Sequence, residues 1–262
     1  FIDYTSGGIY YYKNHIYLLR RKYDTNTHTV SYFLVKCSED GSEQQDLYNF
    51  MQCIDEVGVS YVSYVHRGYF YYSVLNEDTS KKSKATLYRR LLEKDAKEEI
   101  VYQSEGYGAS LYHLMAYGND MYIDEVGCTD ASAEEWYANI VKCNIHTKKA
   151  EKIRENCYDN FVKIKDKMYI MDKEKNKIVQ FSENEKNEKE EKEIYAIENL
   201  ERTDLKTDGT YLYLDISKPK EENGEKKRYH IVEIIDTEGN LVDTLENTDE
   251  FIGGDENYLF FK

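Results

Sequence analysis

Asp208-Gly209-Thr210-Tyr211-Leu212-Tyr213-Leu214-Asp215 reads as a turn running into a strand with tyrosine on alternate positions. The phrase recurs as His66-Arg67-Gly68-Tyr69-Phe70-Tyr71-Tyr72, as Tyr117-Gly118-Asn119-Asp120-Met121-Tyr122-Ile123-Asp124 and as Lys165-Asp166-Lys167-Met168-Tyr169-Ile170. Looser copies open and close the chain at Lys13-Asn14-His15-Ile16-Tyr17-Leu18 and Gly254-Asp255-Glu256-Asn257-Tyr258-Leu259-Phe260. Anchored on Tyr17, Tyr71, Tyr122, Tyr169, Tyr213 and Phe260, successive copies are 54, 51, 47, 44 and 47 residues apart. Repetition at this period, with strand-forming residues in every copy, predicts the blades of a β-propeller. A blade cannot bury both faces until its neighbours stack on it, so residues 1–262 are expected to form one domain.

Polar turn clusters divide each copy into four short runs rich in aromatic and β-branched residues, the pattern of an antiparallel meander. The predicted blades cover about 7–52, 59–104, 109–155, 160–197, 203–246 and 249–262. In the first, strands are expected at 9–12, 15–21, 31–37 and 44–48, after a stray strand over 1–6 and a turn at Gly7-Gly8. Gly41 is expected to supply the positive φ of the hairpin Ser38-Glu39-Asp40-Gly41. The sixth blade stops after two inner strands, at 250–253 and 257–261. Closing a ring removes free edges, so the expectation is an all-β propeller of six four-stranded blades, the last shared with an N-terminal strand at 1–4. Five blades plus a hairpin is the alternative. Residues 182–192, a run of Glu, Lys and Asn, and residues 217–228, with Pro219 and Asn223-Gly224, are expected to be solvated loops.

The chain carries 27 tyrosines against one tryptophan and one proline. Tyrosine suits a packed pleated surface while its hydroxyl reaches water or a backbone partner at the edge. A net charge of -15 repels phosphate-rich partners and anionic membrane surfaces, so nucleic acid is excluded as a partner. Apolar runs such as Ile231-Val232-Glu233-Ile234-Ile235 are too short and interrupted to span a bilayer. The chain begins at Phe1, which leaves room for a targeting segment or lipid anchor upstream of it. A monomer is expected. Cys37, Cys53, Cys128, Cys143 and Cys157 fit no zinc spacing and are expected to be small buried hydrophobes, with Cys128 and Cys143 the pair to consider if any disulfide forms.

The connections between second and third strands vary most: 22–30, 76–85, 125–136 and 217–228 are long, and 172–176 is short. They share one rim of a propeller, and variable insertions on one face of a repeat protein mark its binding face. Trp136 stands there beside Glu134, Glu135 and Tyr137. Exposed, it would offer a platform to a sugar ring or a partner's anchor; the structural alternative is a cap on the edge of the third blade. Carboxylates close the second strands at Asp124, Asp172 and Asp215. Converging on a channel, they could bind calcium or work as an acid–base pair; otherwise they cap turns. The candidate ligand-binding residues are therefore Trp136, Tyr137, Asp124 and Asp215. The six histidines fall in different blades without metal spacing, and no nucleophile elbow or phosphate-cradling glycine loop is present, so no catalytic residue, metal or cofactor is assigned.

Met121-Tyr122-Ile123-Asp124 and Leu212-Tyr213-Leu214-Asp215 resemble the YWTD repeat of low-density-lipoprotein-receptor-type propellers. With Leu87-Tyr88-Arg89-Arg90 and Glu39-Asp40-Gly41, the chain looks still more like bacterial relatives of that family whose function is undescribed. The tryptophan and threonine of YWTD are missing from every copy, so the receptors' ligand binding does not carry over. The resemblance implies a six-bladed propeller exported to a bacterial cell surface, often as a lipoprotein. The function expected is non-enzymatic binding of a protein or glycan through one loop-bearing rim; the alternative is a glycan hydrolase or lyase with carboxylates in the central channel.

Overall fold

The computed structural model describes residues 2–54, 60–75, 78–132, 134–155, 161–172, 175–183, 189–197, 203–222, 225–248, 251–254 and 259–261. Every regular element among them is a β-strand, and no helix is long and apolar enough to cross a membrane. The chain divides into two compact units, Phe1–Cys157 and Tyr158–Lys262.

In the first unit β1 (Ile2–Tyr12), β2 (His15–Asp24), β3 (Thr29–Ser38) and β4 (Gln44–Ile54) pair in chain order as an antiparallel meander. Next come β5 (Tyr61–His66), β6 (Tyr69–Val74), β7 (Lys82–Leu91), β8 (Glu99–Tyr117), β9 (Asp120–Cys128), β10 (Trp136–Asn144) and β11 (Ala150–Arg154). These form one seven-stranded sheet where two separate blades are expected. The fusion is β8. Its first half pairs with β7 as an outermost strand, and its second half pairs with β9 as an innermost one. The register slips between Tyr107 and Ser110, where Gly108 takes φ +58, so a bulge bends the strand where the sequence reads as a break.

In the second unit β12 (Phe161–Ile164), β13 (Lys167–Asp172), β14 (Lys177–Glu183) and β15 (Lys189–Ala196) form one four-stranded meander. β16 (Thr203–Thr207), β17 (Leu212–Glu222), β18 (Glu225–Ile235) and β19 (Leu241–Thr248) form a second, and β20 (Phe251–Gly254) pairs with β21 (Leu259–Phe261) alone. None of the five sheets closes on itself. Within each unit the first strands of successive modules lie side by side, β1 against β5 and β5 against β8, then β12 against β16 and β16 against β20.

The second strands are buried on both faces: Phe70, Tyr71, Tyr72 and Ser73 on β6, and Leu212 to Ile216 on β17, are all buried. Alternate tyrosines there do not mark an inside and an outside, because sheets stack against both faces. In the first unit Phe50 sits against Tyr32, Tyr61, Phe70 and Tyr72, with ring centroids 5.1–6.3 Å apart. Some buried or partly buried tyrosines reach a polar partner, as the composition predicts, whereas the buried Tyr48 hydroxyl has no hydrogen-bond partner among the described residues. Tyr10 meets the Ser63 hydroxyl at 2.6 Å, Tyr213 donates to Asp208 at 2.8 Å and Tyr72 donates to Glu98. Burial pushes the Tyr10 phenol up to about 12.

Several expected loops and joins are different. Gly7-Gly8 is not a turn but lies within β1, and Ile2–Tyr4 pairs with Lys22–Arg20 of β2 in the same sheet instead of completing a sixth blade. Residues 217–228 are not a loop: β17 and β18 run on as a ribbon from Ser217↔His230 to Glu222↔Glu225, with Pro219 opposite Arg228. Likewise β14 and β15 extend into 182–192 as Ser182↔Glu190 and Glu183↔Lys189. Phe1, Cys157, Asn223-Gly224, residues 184–188 and residues 255–258 lie outside the described residues. The hairpin glycine Gly41 does take positive φ, at +73.

Candidate functional site

The geometry around Trp136 follows from ladder register. Lys82 on β7 faces Tyr107 on β8, Tyr107 faces Cys128 on β9, and Cys128 faces Trp136 on β10. Directly opposed residues of an antiparallel ladder project from the same face, so the four side chains form a row. Across four strands the row spans about 14 Å. Trp136 is 43% exposed, Tyr107 is half-buried, and Cys128 between them is covered. The Lys82 ammonium lies 5.8 Å from the Tyr107 ring centroid. Burial, and then the Asp130 carboxylate, push the Cys128 thiol up, so it stays a neutral apolar floor.

Tyr137 is one residue further on and therefore on the opposite face. Its ring reaches over β9 and β8, where a Cβ at Gly127 or Gly106 would stand 2.6 or 2.5 Å from its hydroxyl oxygen. Burial, and then Glu125, push this phenol up. Trp136 and Tyr137, adjacent in sequence, are thus separated by the thickness of a sheet. The loop leading to Trp136 is held by Thr129 N–H donating to the Glu135 carbonyl at 3.0 Å and by Ser132, whose N–H and hydroxyl both donate to Asp130.

Each of the three carboxylates is set within its own sheet. Asp124 is half-buried in β9 between His113 and Ile140 in the first unit. Asp172 ends β13 and caps the following turn, accepting from Lys175 N–H at 3.0 Å with the Lys175 ammonium 3.1 Å away. Asp215 is not at a strand end at all: β17 continues to Glu222. It is 4% exposed, with His230 Nδ1 at 2.7 Å and Lys206 Nζ at 4.0 Å. A carboxylate only accepts, so Nδ1 of His230 carries the hydrogen of that bond. At the root of the ribbon Arg228 Nε donates to the Ser217 hydroxyl at 2.7 Å and Nη2 to the Ser217 carbonyl at 2.8 Å. His230 and Lys206 escaped the sequence reading, because cross-strand diagonals depend on a register that spacing does not reveal.

No group of three or more His, Cys, Asp or Glu able to hold a metal ion occurs among the described residues. The described cysteines Cys37, Cys53, Cys128 and Cys143 are free thiols. Cys128 lies opposite Trp136 and Cys143 opposite Met121, seven positions apart along one ladder, so about 23 Å separates them and no bridge between them can form. Two depressions, about 420 Å³ beside His15, Lys36 and Glu43 and about 340 Å³ beside Lys165, Tyr169 and Thr237, lie at the ends where first and second strands join. Trp136 lies at the other end of its sheet.

No protein-family model matches the chain, and no curated protein matches it in sequence. Its fold does have counterparts. The β-propeller domain of the Trilobed protease from Pyrococcus furiosus, which has an open velcro topology, superimposes with a TM-score of 0.59 at 8% identity over 98% of this chain and 77% of that one. Pyrococcus horikoshii acylaminoacyl peptidase superimposes with a TM-score of 0.60 at 8% identity over 97% of this chain. This chain spans 42% of the peptidase's length. At such identity the likeness shows the fold alone: all-β and propeller-like.

Proposed function

We propose that the chain is a β-propeller binding module that recognises a protein or a glycan through the ends of its sheets that carry the second-to-third-strand hairpins. The observation that carries this reading is Trp136, the single tryptophan of the chain, 43% exposed at the end of the β9–β10 hairpin. A partly exposed indole is a ready anchor, because tryptophan is enriched among interface hot spots. The β17–β18 ribbon adds projecting surface of the same kind, beyond the last pair of β16 with β17 at Thr203↔Ile216.

Six modules follow along the chain, three in each unit, and they support a six-bladed reading in which the final pair β20–β21 is a blade left with two strands. The likeness to the β-propeller domain of the Trilobed protease supports the propeller reading. Kinship with YWTD-type bacterial surface propellers, and an exported location, belong to this reading and rest on the tyrosine-strand motifs. The binding role is favoured over glycan hydrolysis because Asp172 and Asp215 already hold local partners, Lys175 in a turn and His230 across a ladder.

A thermal-shift screen against neutral and acidic oligosaccharides, calcium and extended peptides tests the proposal. A ligand at a hundred times its dissociation constant adds about 2.7 kcal/mol, a shift of several degrees at roughly 2–4 °C per kcal/mol for this size. A reproducible shift with one class is expected. Turnover of a shifted oligosaccharide would replace the binding role with the enzymatic one.

A further inference from the structure

We infer that Trp136, Tyr107 and Lys82 form a binding strip for neutral glycans on one face of β7–β10 in the first unit. The inference rests on the binding reading above and names its site and ligand class. Trp136 and Tyr107 stand two strands apart, about 10 Å, with the small covered Cys128 between them. Two partly exposed rings in one row, over a Cys128 that is itself covered, present C–H-binding surfaces to a sugar chain laid across the strands, and aromatic rings keep their area at little entropic cost.

The polar groups at either end suit hydroxyls rather than charges. Lys82 is exposed beside Tyr107 and offers three donors. Glu134, exposed two residues before Trp136, offers an acceptor. With a carboxylate beside Trp136 and -15 on the whole chain, a sulfated or polyuronic chain is disfavoured by the field of the protein, which the single Lys82 does not offset. A neutral oligosaccharide is not.

The strip is also fixed in place before any ligand arrives. Its side chains stand on paired strands, its loop is tied by Thr129–Glu135 and Asp130–Ser132, and its reverse face is sealed by Tyr137 lying over Gly127 and Gly106. Little ordering remains for binding to accomplish.

Because Trp136 is the only tryptophan, its emission reports this strip and nothing else. The test titrates the intact chain with neutral hexose oligosaccharides, following fluorescence and calorimetry together. Saturable change in emission is expected at the calorimetric midpoint, with Tyr107→Ala and the exposed Lys82→Ala each weakening affinity roughly three- to tenfold. Leu241→Ala, an exposed apolar residue on β19 of the second unit, should bind as the parent does. Calorimetric binding with silent emission, or with Tyr107→Ala and Lys82→Ala both unchanged, would place the glycan elsewhere and overturn the strip while leaving a binding module. Absence of calorimetric binding by every neutral glycan overturns the inference, and a peptide shift in the thermal screen would then keep the broader reading alive. Tighter binding of a sulfated glycan than of its neutral parent would overturn the charge assignment.

Discussion

Single aspartates set the shape of many turns in this chain. Asp24, Asp40, Asp78, Asp130, Asp208 and Asp236 each accept the backbone N–H two residues on, at 2.7–3.0 Å. At Asp40, Asp78 and Asp130 the serine at that position donates its hydroxyl as well. These bonds favour the ionised form. The Ser38 hydroxyl and then the Ser42 groups hold Asp40 down at about 2, and the Ser80 hydroxyl followed by Lys81 does the same for Asp78. With folded values below the unfolded one near 3.9, their stabilisation is complete above about pH 4 and is lost as pH falls through 2. Carboxyl shifts followed by NMR should show Asp40 and Asp78 titrating near 2; ordinary values near 4 would contradict the caps. A second residue-level prediction concerns Gly127. A Cβ there would meet the Tyr137 hydroxyl at 2.6 Å and its ring at 2.7 Å, so Gly127→Ala must displace the ring. Overpacking of this kind costs about 1–3 kcal/mol, readable as a lowered urea midpoint.

At the scale of elements, one side chain ties neighbouring modules together. Arg89 on β7 is 8% exposed, donates Nη1 to the Ile145 carbonyl beyond β10 at 2.6 Å, grips Glu99 with Nε and Nη2 at 3.0 and 2.7 Å, and lies 4.6 Å from the Tyr69 ring. Glu99 is half exposed, so the ion pair itself counts for little. The buried bond to Ile145 counts for more. Arg89→Met keeps the packing but removes the donor, and the expected loss is roughly 2–4 kcal/mol by chemical denaturation. A change under half a kcal/mol would show that water replaces it. The sequence makes the short strands and tight turns legible, because turn chemistry and strand propensity are local. What it hides is the length of the ladders. Pro219 reads as a breaker, yet it lies where β17 has passed its last pair with β16, and an edge tolerates a missing N–H. The charged run 182–192 reads as solvent-facing loop, yet Phe181↔Glu191 and Ser182↔Glu190 are ordinary cross-strand pairs. Trp136 as a candidate is legible from its rarity. Its companions Tyr107 and Lys82 are not, since they lie 29 and 54 residues earlier and meet it only through the register of three ladders.

For the whole molecule the dominant long-range term is its charge of -15, with exposed ion pairs such as Lys142–Glu151 at 3.3 Å and Lys152–Glu155 at 3.0 Å acting against it locally. Exposed pairs are worth little, whereas like charges repel over a screening length of about 30 Å at 0.01 M salt and about 8 Å at 0.15 M. Repulsion should therefore win. The melting temperature is expected to rise with sodium chloride between those concentrations, and a fall would mean that surface pairs outweigh net charge. The same balance bends the pH profile. From neutrality down towards pH 4, protonating solvated glutamates relieves repulsion and should stabilise the fold. Below about pH 4 these aspartates take up protons in the unfolded chain while the folded caps, held near 2, stay charged, so their stabilisation is drawn down and stability turns downward. Two opposed terms with different midpoints make a maximum on the acid side of neutrality. A melting series from pH 8 to pH 2.5 at low salt should show that maximum, and added salt should flatten its neutral shoulder while leaving the acid limb in place. A profile that falls steadily from pH 7 would mean the caps and other paired carboxylates outweigh repulsion throughout.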